Sequence, residues 1–179
     1  MSADTGTITL GGGCFWCLEA VYAHVDGVLS VESGYSNGHV KAPTYEQVCG
    51  GSTGHAEVVR VAFDPTRISL REILEIFFTI HDPTQLNRQG NDVGSQYRSG
   101  IYFETADHER VAREVIAEVQ KVHRRPVVTE LVALNNYSRA EAYHQRYFEN
   151  NPGQGYCAFV VAPKVEKFRK TFANRVRTA

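Results

Sequence analysis

Three consecutive glycines, Gly11-Gly12-Gly13, separate a β-branched run from a helical one. Thr7 to Leu10 predicts a short strand, and Phe15 to Val25 predicts a helix. The glycines between them predict a flexible turn that lets another group come close to the backbone. Cys14 therefore falls at the mouth of the helix. The first turn of a helix carries unpaired N–H groups and the positive end of the macrodipole. A thiolate there is expected to be stabilised, with a lowered pKa. Phe15 and Trp16 follow at once. Adjacent helical residues point about 100° apart, so at least one ring should lie toward solvent or a pocket.

Beyond this junction the two periodicities interleave. Gly27 to Tyr35 reads as extended and is broken by Ser36-Asn37-Gly38. Glu57 to Phe63 alternates, with Val59, Val61 and Phe63 on one face, and reads as a strand. Ser69 and Glu72 form a capping-box pattern ahead of Leu70, Ile73, Leu74, Phe77 and Phe78 at helical spacing. That helix is expected to end near His81-Asp82-Pro83. Ile101 to Phe103 predicts a strand. Val111, Val115, Val119 and Val122 mark a second long helix, and Val127 to Leu134 another strand. Ser138 and Glu141 suggest a second capping box, opening a short helix that carries Tyr143 and Tyr147. From Asn150 the chain is Gly-rich, with a short strand expected at Ala158 to Val161 and a basic end. The expectation is one α/β-type two-layer domain over residues 1–179, with a flexible tail from about residue 150.

Thr84 to Arg98 differs in kind. It is polar, rich in Asn, Gln and Gly, and nearly free of aliphatic residues. Long segments of this sort usually carry function or are disordered.

Nineteen Lys and Arg stand against twenty Asp and Glu, a net charge of -1. This balance gives no reason to expect nucleic acid or an anionic membrane as partner. No stretch approaches the roughly 20 apolar residues of a membrane-spanning helix. The N-terminus has no basic and apolar leader pattern. A soluble, cytoplasmic monomer is the expectation.

Cys14, Cys17, Cys49 and Cys157 are too sparse in 179 residues for a disulfide framework, so redox chemistry, catalysis or metal binding is favoured. Cys14 and Cys17 make a C-x-x-C. It admits a thioredoxin-like redox pair, half a zinc site, or coincidence. Zinc would need Cys49 and His55 as well, without the spacing of known zinc sites, and no metal is expected. The glycines match neither nucleotide-binding pattern.

Gly13-Cys14-Phe15-Trp16 resembles the active-site signature of A-type methionine sulfoxide reductases. So do Tyr45 to Glu57 (YEQVCGGSTGHAE), His81 to Arg98 (HDPTQLNRQGNDVGSQYR) and Gly155-Tyr156-Cys157. The similarity extends over roughly residues 7–170. It implies an α+β two-layer sandwich with a ferredoxin-like core and an irregular C-terminal tail. It implies that Cys14 attacks the sulfoxide sulfur and that Glu57 protonates the departing oxygen. By the same resemblance Tyr45 and Tyr97 hold that oxygen, Asp92 helps shape the site, and Phe15 and Trp16 hold the substrate's S-methyl group. The substrates implied are free methionine sulfoxide and oxidised proteins, as the S epimer. No bound cofactor is implied, with thioredoxin or another dithiol as reductant. The residues also leave open a thioredoxin-like thiol–disulfide oxidoreductase built on Cys14 and Cys17.

Many members of that family have a small residue where this chain has Cys17. Cys157 matches the family's usual resolving cysteine and is favoured here, because a mobile tail can approach a sulfur facing a pocket. Cys17, one helical turn from Cys14, could resolve alone or take part in a relay. Cys49 is expected to be a structural thiol, and His55 and His81 to serve as caps or hydrogen-bonding groups.

Overall fold

A computed structural model of the chain describes residues 5–177. In chain order it contains β1 (Gly6–Gly11), α1 (Phe15–Tyr22), β2 (Val28–Ser36), α2 (Tyr45–Cys49), β3 (Ala56–Phe63), α3 (Leu70–Ile80), β4 (Arg88–Gln89), β5 (Asp92–Val93), β6 (Gly100–Phe103), α4 (Ala106–Gln120), β7 (Glu130–Ala133), β8 (Ser138–Arg139), α5 (Tyr147–Asn150) and α6 (Ala162–Thr171). The main sheet has the order β7-β6-β1-β3-β2-β8, and β4 and β5 form a separate small hairpin. All pairings in the main sheet are antiparallel except β6 with β7. Their parallel pairing requires a crossover, which α4 supplies. The α+β class expected from the sequence is borne out.

β3 lies in the interior of the sheet, hydrogen-bonded to β1 on one side and β2 on the other. Its alternation assigns residues to faces. Val59, Val61 and Phe63 belong to the main core under the helices. Ala56 and Val58 belong to a smaller cluster on the opposite face with Tyr102, Leu134 and Tyr137. Glu57 shares the parity of Val59, Val61 and Phe63 and is therefore turned toward the helical layer. Tyr35 is its cross-strand partner on β2.

α3 forms as its sequence dictates. Ser69 and Glu72 close the capping box, and Ile73, Leu74, Phe77 and Phe78 are buried. α1 packs on β2 and β3 and against α5 and α6. No described helix is long and apolar enough to cross a membrane.

Three local expectations are overturned. Ala158 to Val161 is not a strand; Cys157–Val161 is a π-helical turn running straight into α6. Pro163 sits in the first turn of α6, where its fixed φ suits a helix start. The β-branched pair Val160-Val161 is thus drawn into helix. The segment read as an irregular tail accordingly buries Cys157, Val161, Val165 and Phe168 in the main core. Ser138 and Glu141 do not form a capping box. Ser138 lies in β8, while the Glu141 carboxylate accepts from the Tyr35 hydroxyl and the Tyr45 N–H, both at 2.8 Å. The strand expected over Val127 to Leu134 shortens to Glu130–Ala133.

Candidate active site

The glycine turn and α1 place the thiol. Gly13 has φ +90°, a conformation that favours glycine, and its N–H donates to the Tyr97 carbonyl at 3.2 Å. This ties the turn to the 3-10 turn Ser95–Tyr97. Cys14 then caps α1 in an extended conformation, as the sequence implies.

Its electrostatics are opposite to that expectation. Burial pushes the Cys14 thiol well above its ordinary pKa, and the nearby charges of Glu57 and Cys17 push the same way. The Trp16 N–H at the helix start favours the thiolate but is outweighed. The dipole argument holds for a solvated sulfur, whereas this one is 9% exposed.

Glu57 reaches the same place from β3. Its Oε1 accepts from the Phe15 N–H at 3.2 Å, and its Oε2 is buried without a partner. Burial raises its pKa to about 8, against the Phe15 hydrogen bond and with help from the Asp92 charge. Glu57 is therefore a carboxylic acid at neutral pH, able to donate a proton.

Phe15 and Trp16 divide as their angular separation requires. Phe15 is fully enclosed, its ring centroid 5.7 Å from Tyr35, 6.4 Å from Tyr45 and 5.1 Å from His144. Trp16 is half-buried. It stacks on Tyr147 at 3.8 Å and donates its indole N–H to His144 Nδ1 at 3.1 Å. His144 must then carry its proton on Nε2, which is buried without a partner.

Tyr45 opens α2 through the Thr44 and Gln47 capping box. The Tyr45 and Tyr97 phenols are held above their ordinary pKa, chiefly by burial, and both feel the charges of Glu57 and Cys14. They are neutral donors near the thiol. Asp92 comes in on the β4–β5 hairpin and accepts from the Tyr156 hydroxyl at 2.5 Å. The same hydroxyl lies 3.9 Å from Cys17 Sγ. Cys14, Glu57, Tyr45, Tyr97, Asp92, Phe15 and Trp16 are thus gathered around one end of α1.

Cys17 and Cys157 are both buried free thiols. Burial raises the pKa of each, and the charge of Cys157 acts on Cys17. Cys49 is on the surface, hydrogen-bonded to Tyr45. His55 braces a loop, with Nδ1 accepting from the Gly38 N–H and Nε2 donating to the Val40 carbonyl. Both ring nitrogens are spent, which removes it from any zinc set with the cysteines. His81 donates to the Phe77 carbonyl and pairs with Ser99. Burial lowers its pKa to about 4, so it is neutral.

His144, Tyr147, Tyr156 and Glu141 are the residues that sequence reasoning missed. The local pattern assigns Tyr147 and Glu141 to helix formation, whereas their partners Trp16, Tyr35 and Tyr45 lie far along the chain. In sequence Tyr156 shows only as the neighbour of Cys157.

A buried thiol beside a neutral carboxylic acid and two neutral phenols, walled by aromatic rings, is the site of a thiol-dependent enzyme suited to a substrate with a polar, protonatable oxygen. The family model described as peptide methionine sulfoxide reductase matches residues 6–176. The peptide methionine sulfoxide reductase MsrA of Saccharolobus solfataricus is 56% identical over 169 residues, covering 94% of this chain and 96% of that protein. The crystal structure of Mxr1 from Saccharomyces cerevisiae in reduced form superposes with a TM-score of 0.83 at 37% identity, covering 88% of this chain and 91% of that one. The structure of Mxr1 in complex with Trx2 gives 0.60 at 27% identity, covering 82% and 87%. The chain belongs to the peptide methionine sulfoxide reductase family and is an enzyme that reduces methionine sulfoxide.

Proposed function

We propose that this enzyme acts on the S epimer of methionine sulfoxide, free or in proteins, and that thioredoxin or another dithiol regenerates it. The observation that carries the chemistry is the buried Glu57 carboxyl, one oxygen anchored by the Phe15 N–H and the other unpartnered. In the first step Glu57 gives its proton to the sulfoxide oxygen while the Cys14 sulfur attacks the sulfoxide sulfur. The thiol proton passes to the Glu57 carboxylate. The S–O bond breaks, methionine leaves, and Cys14 retains the oxygen as a sulfenic acid. The substrate sulfur gains two electrons and the Cys14 sulfur loses two, so no bound cofactor is required. Tyr45 and Tyr97 steady the oxygen by hydrogen bonds, Asp92 holds Tyr156, and Phe15 and Trp16 supply the apolar wall for the S-methyl group.

Regeneration is a relay. Cys17 lies one helical turn from Cys14 and feels the charge of Cys157, which supports its standing between the two. The Cys17 thiol condenses with the sulfenic acid, expelling water and leaving a Cys14–Cys17 disulfide. Cys157 then attacks Cys17, freeing Cys14 and forming a Cys17–Cys157 disulfide for the reductant to open. We read the chain as a monomer of the cytoplasm, a compartment that keeps such thiols reduced.

Mass spectrometry after one turnover with each separated epimer tests this reading. Stoichiometric methionine from the S epimer, with a disulfide involving Cys17 or Cys157, is the expected result. Equal reaction of both epimers would overturn the epimer assignment.

A further inference from the structure

The first chemical step employs Cys14, Glu57 and the two phenols, but it gives Cys17 nothing to take its proton. Burial raises the Cys17 thiol above its ordinary pKa, so it is protonated at neutral pH. A thiol that attacks a sulfenic acid must shed that proton as the new bond forms, because the thiolate is the nucleophile. Burial alone acts on the Cys157 thiol. Cys17, in contrast, has a hydroxyl beside it: Tyr156 Oη lies 3.9 Å from Cys17 Sγ.

The direction of that contact follows from the hydrogens available. The Tyr156 hydroxyl has a single hydrogen. It is given to Asp92 Oδ2 at 2.5 Å, and a carboxylate offers only acceptors. The phenol oxygen is left with lone pairs alone, so Cys17 Sγ is the donor of the pair. A directed chain results, from the Cys17 S–H to the Tyr156 O–H to Asp92. Burial, with the charges of Cys14 and Cys17, holds Tyr156 far above its ordinary pKa. The phenol therefore stays neutral and passes a proton along rather than giving one up to become a standing base.

The fold fixes each member of the chain. Cys17 is buried on α1, and the Tyr156 ring meets Trp16 edge-on at 5.8 Å. Asp92 lies in β5, opposite Gln89 of β4. The Gln89 side chain accepts from the Asp82 N–H at 2.8 Å and donates to the Asp82 carbonyl at 3.0 Å. The hairpin that carries Asp92 is thereby anchored to the segment following α3.

We propose that Tyr156 is a catalytic residue of the resolving step, its hydroxyl relaying the Cys17 proton to Asp92 as the Cys17 sulfur attacks the Cys14 sulfenic acid. The inference rests on the cysteine relay proposed above. The S–S bond between Cys17 and Cys14 forms, and the S–O bond of the sulfenic acid breaks. The Cys17 proton moves to the phenol oxygen while the phenol proton moves to Asp92 Oδ2. The departing oxygen takes the Glu57 proton and leaves as water. The sulfenic sulfur is reduced and the Cys17 sulfur oxidised, so no outside reagent takes part. Asp92 gains the proton that Glu57 loses, and the charge of the site is unchanged.

Tyr156→Phe keeps the ring against Trp16 and removes the hydroxyl. The test introduces it into Cys157→Ser enzyme, where reaction ends at the Cys14–Cys17 disulfide. Rapid-quench mass spectrometry with one equivalent of methionine (S)-sulfoxide follows methionine release and, through dimedone capture, the lifetime of the sulfenic acid. Relative to methionine release, decay of the sulfenic acid should slow by about 10²-fold or more in Tyr156→Phe. Heavy water should slow that decay more in Cys157→Ser enzyme than in the Tyr156→Phe form, because the hydroxyl makes two protons move along the chain. If Tyr156→Phe does not fold, Asp92→Asn makes the same comparison, since an amide oxygen accepts the Tyr156 bond but takes no proton. An unchanged decay, or an equal effect of heavy water in both proteins, overturns the proposal. Equal slowing of methionine release and of decay assigns Tyr156 to the sulfoxide and overturns it as well. Cys157→Ser enzyme that forms no Cys14–Cys17 disulfide refutes the cysteine relay itself, and the two failures are thereby distinguished.

Discussion

The Phe15 backbone N–H donates to Glu57 Oε1 at 3.2 Å, joining the first residue of α1 to the second residue of β3. Cys14 precedes Phe15, so this bond ties the Glu57 carboxyl to the main chain beside the thiol. It leaves Glu57 Oε2 without a partner. Phe15, Leu18 and Val21 hold α1 in the core, which gives the proposed proton transfer the fixed geometry it needs.

Replacing Glu57 with Gln keeps the Phe15 bond and removes the proton. Single-turnover release of methionine should slow by about 10²–10⁴-fold. The wild-type rate should decline as pH rises through about 8, because the carboxyl then loses its proton. A stopped-flow pH series on both proteins checks this; a variant with the wild-type rate would remove Glu57 from the acid role.

The same carboxyl links stability to pH. Its folded pKa of about 8 lies above the ordinary 4.5. Its contribution is complete below pH 4.5 and is lost as pH rises toward 8, at up to about 1.4 kcal/mol per pH unit within that window. Glu57→Gln should therefore show a flatter thermal midpoint across this range and exceed the wild type at pH 9. Differential scanning calorimetry at several pH values reads the difference.

The proposed relay separates the two candidate resolving cysteines. Cys157→Ser should release one equivalent of methionine, accumulate a Cys14–Cys17 disulfide and fail to turn over with thioredoxin. Cys17→Ser should still reduce one equivalent but hold the Cys14 sulfenic acid longer, trappable with dimedone. Sustained thioredoxin-dependent turnover in Cys157→Ser would exclude an obligatory role for that thiol.

Phe15 and Trp16 should respond differently despite their adjacency. Phe15→Ala empties a fully enclosed position and should cost about 3–5 kcal/mol of stability. Trp16 is half-buried, stacked on Tyr147 and bonded to His144. Trp16→Ala should act mainly on KM for the sulfoxide, with a smaller loss of stability. Urea titrations beside steady-state kinetics distinguish them.

Much of this was readable in the chain wherever a single local rule governed the outcome. The alternation of Val59, Val61 and Phe63 marks β3 as a strand with one core face, and the capping box at Ser69 starts α3. What escaped was decided by contacts far along the chain. Glu141 matched a capping box but is claimed by Tyr35 and Tyr45. The β4–β5 hairpin is two residues per strand, too short for any period to show. The helix terminus that predicts a lowered Cys14 pKa is visible in sequence, and the burial that raises it is not.

β3 is hydrogen-bonded along both edges, with Glu57 opposite Tyr35 and Val59 opposite Leu10. A single-residue insertion or deletion just ahead of it would turn the strand over relative to its neighbours. Val58 would then stand beside the thiol, and an ionisable group would be driven among Tyr102, Leu134 and Tyr137. Chemistry and foldability would fail in one event. This strand should accordingly tolerate exchanges of side chains in place but not a change of length.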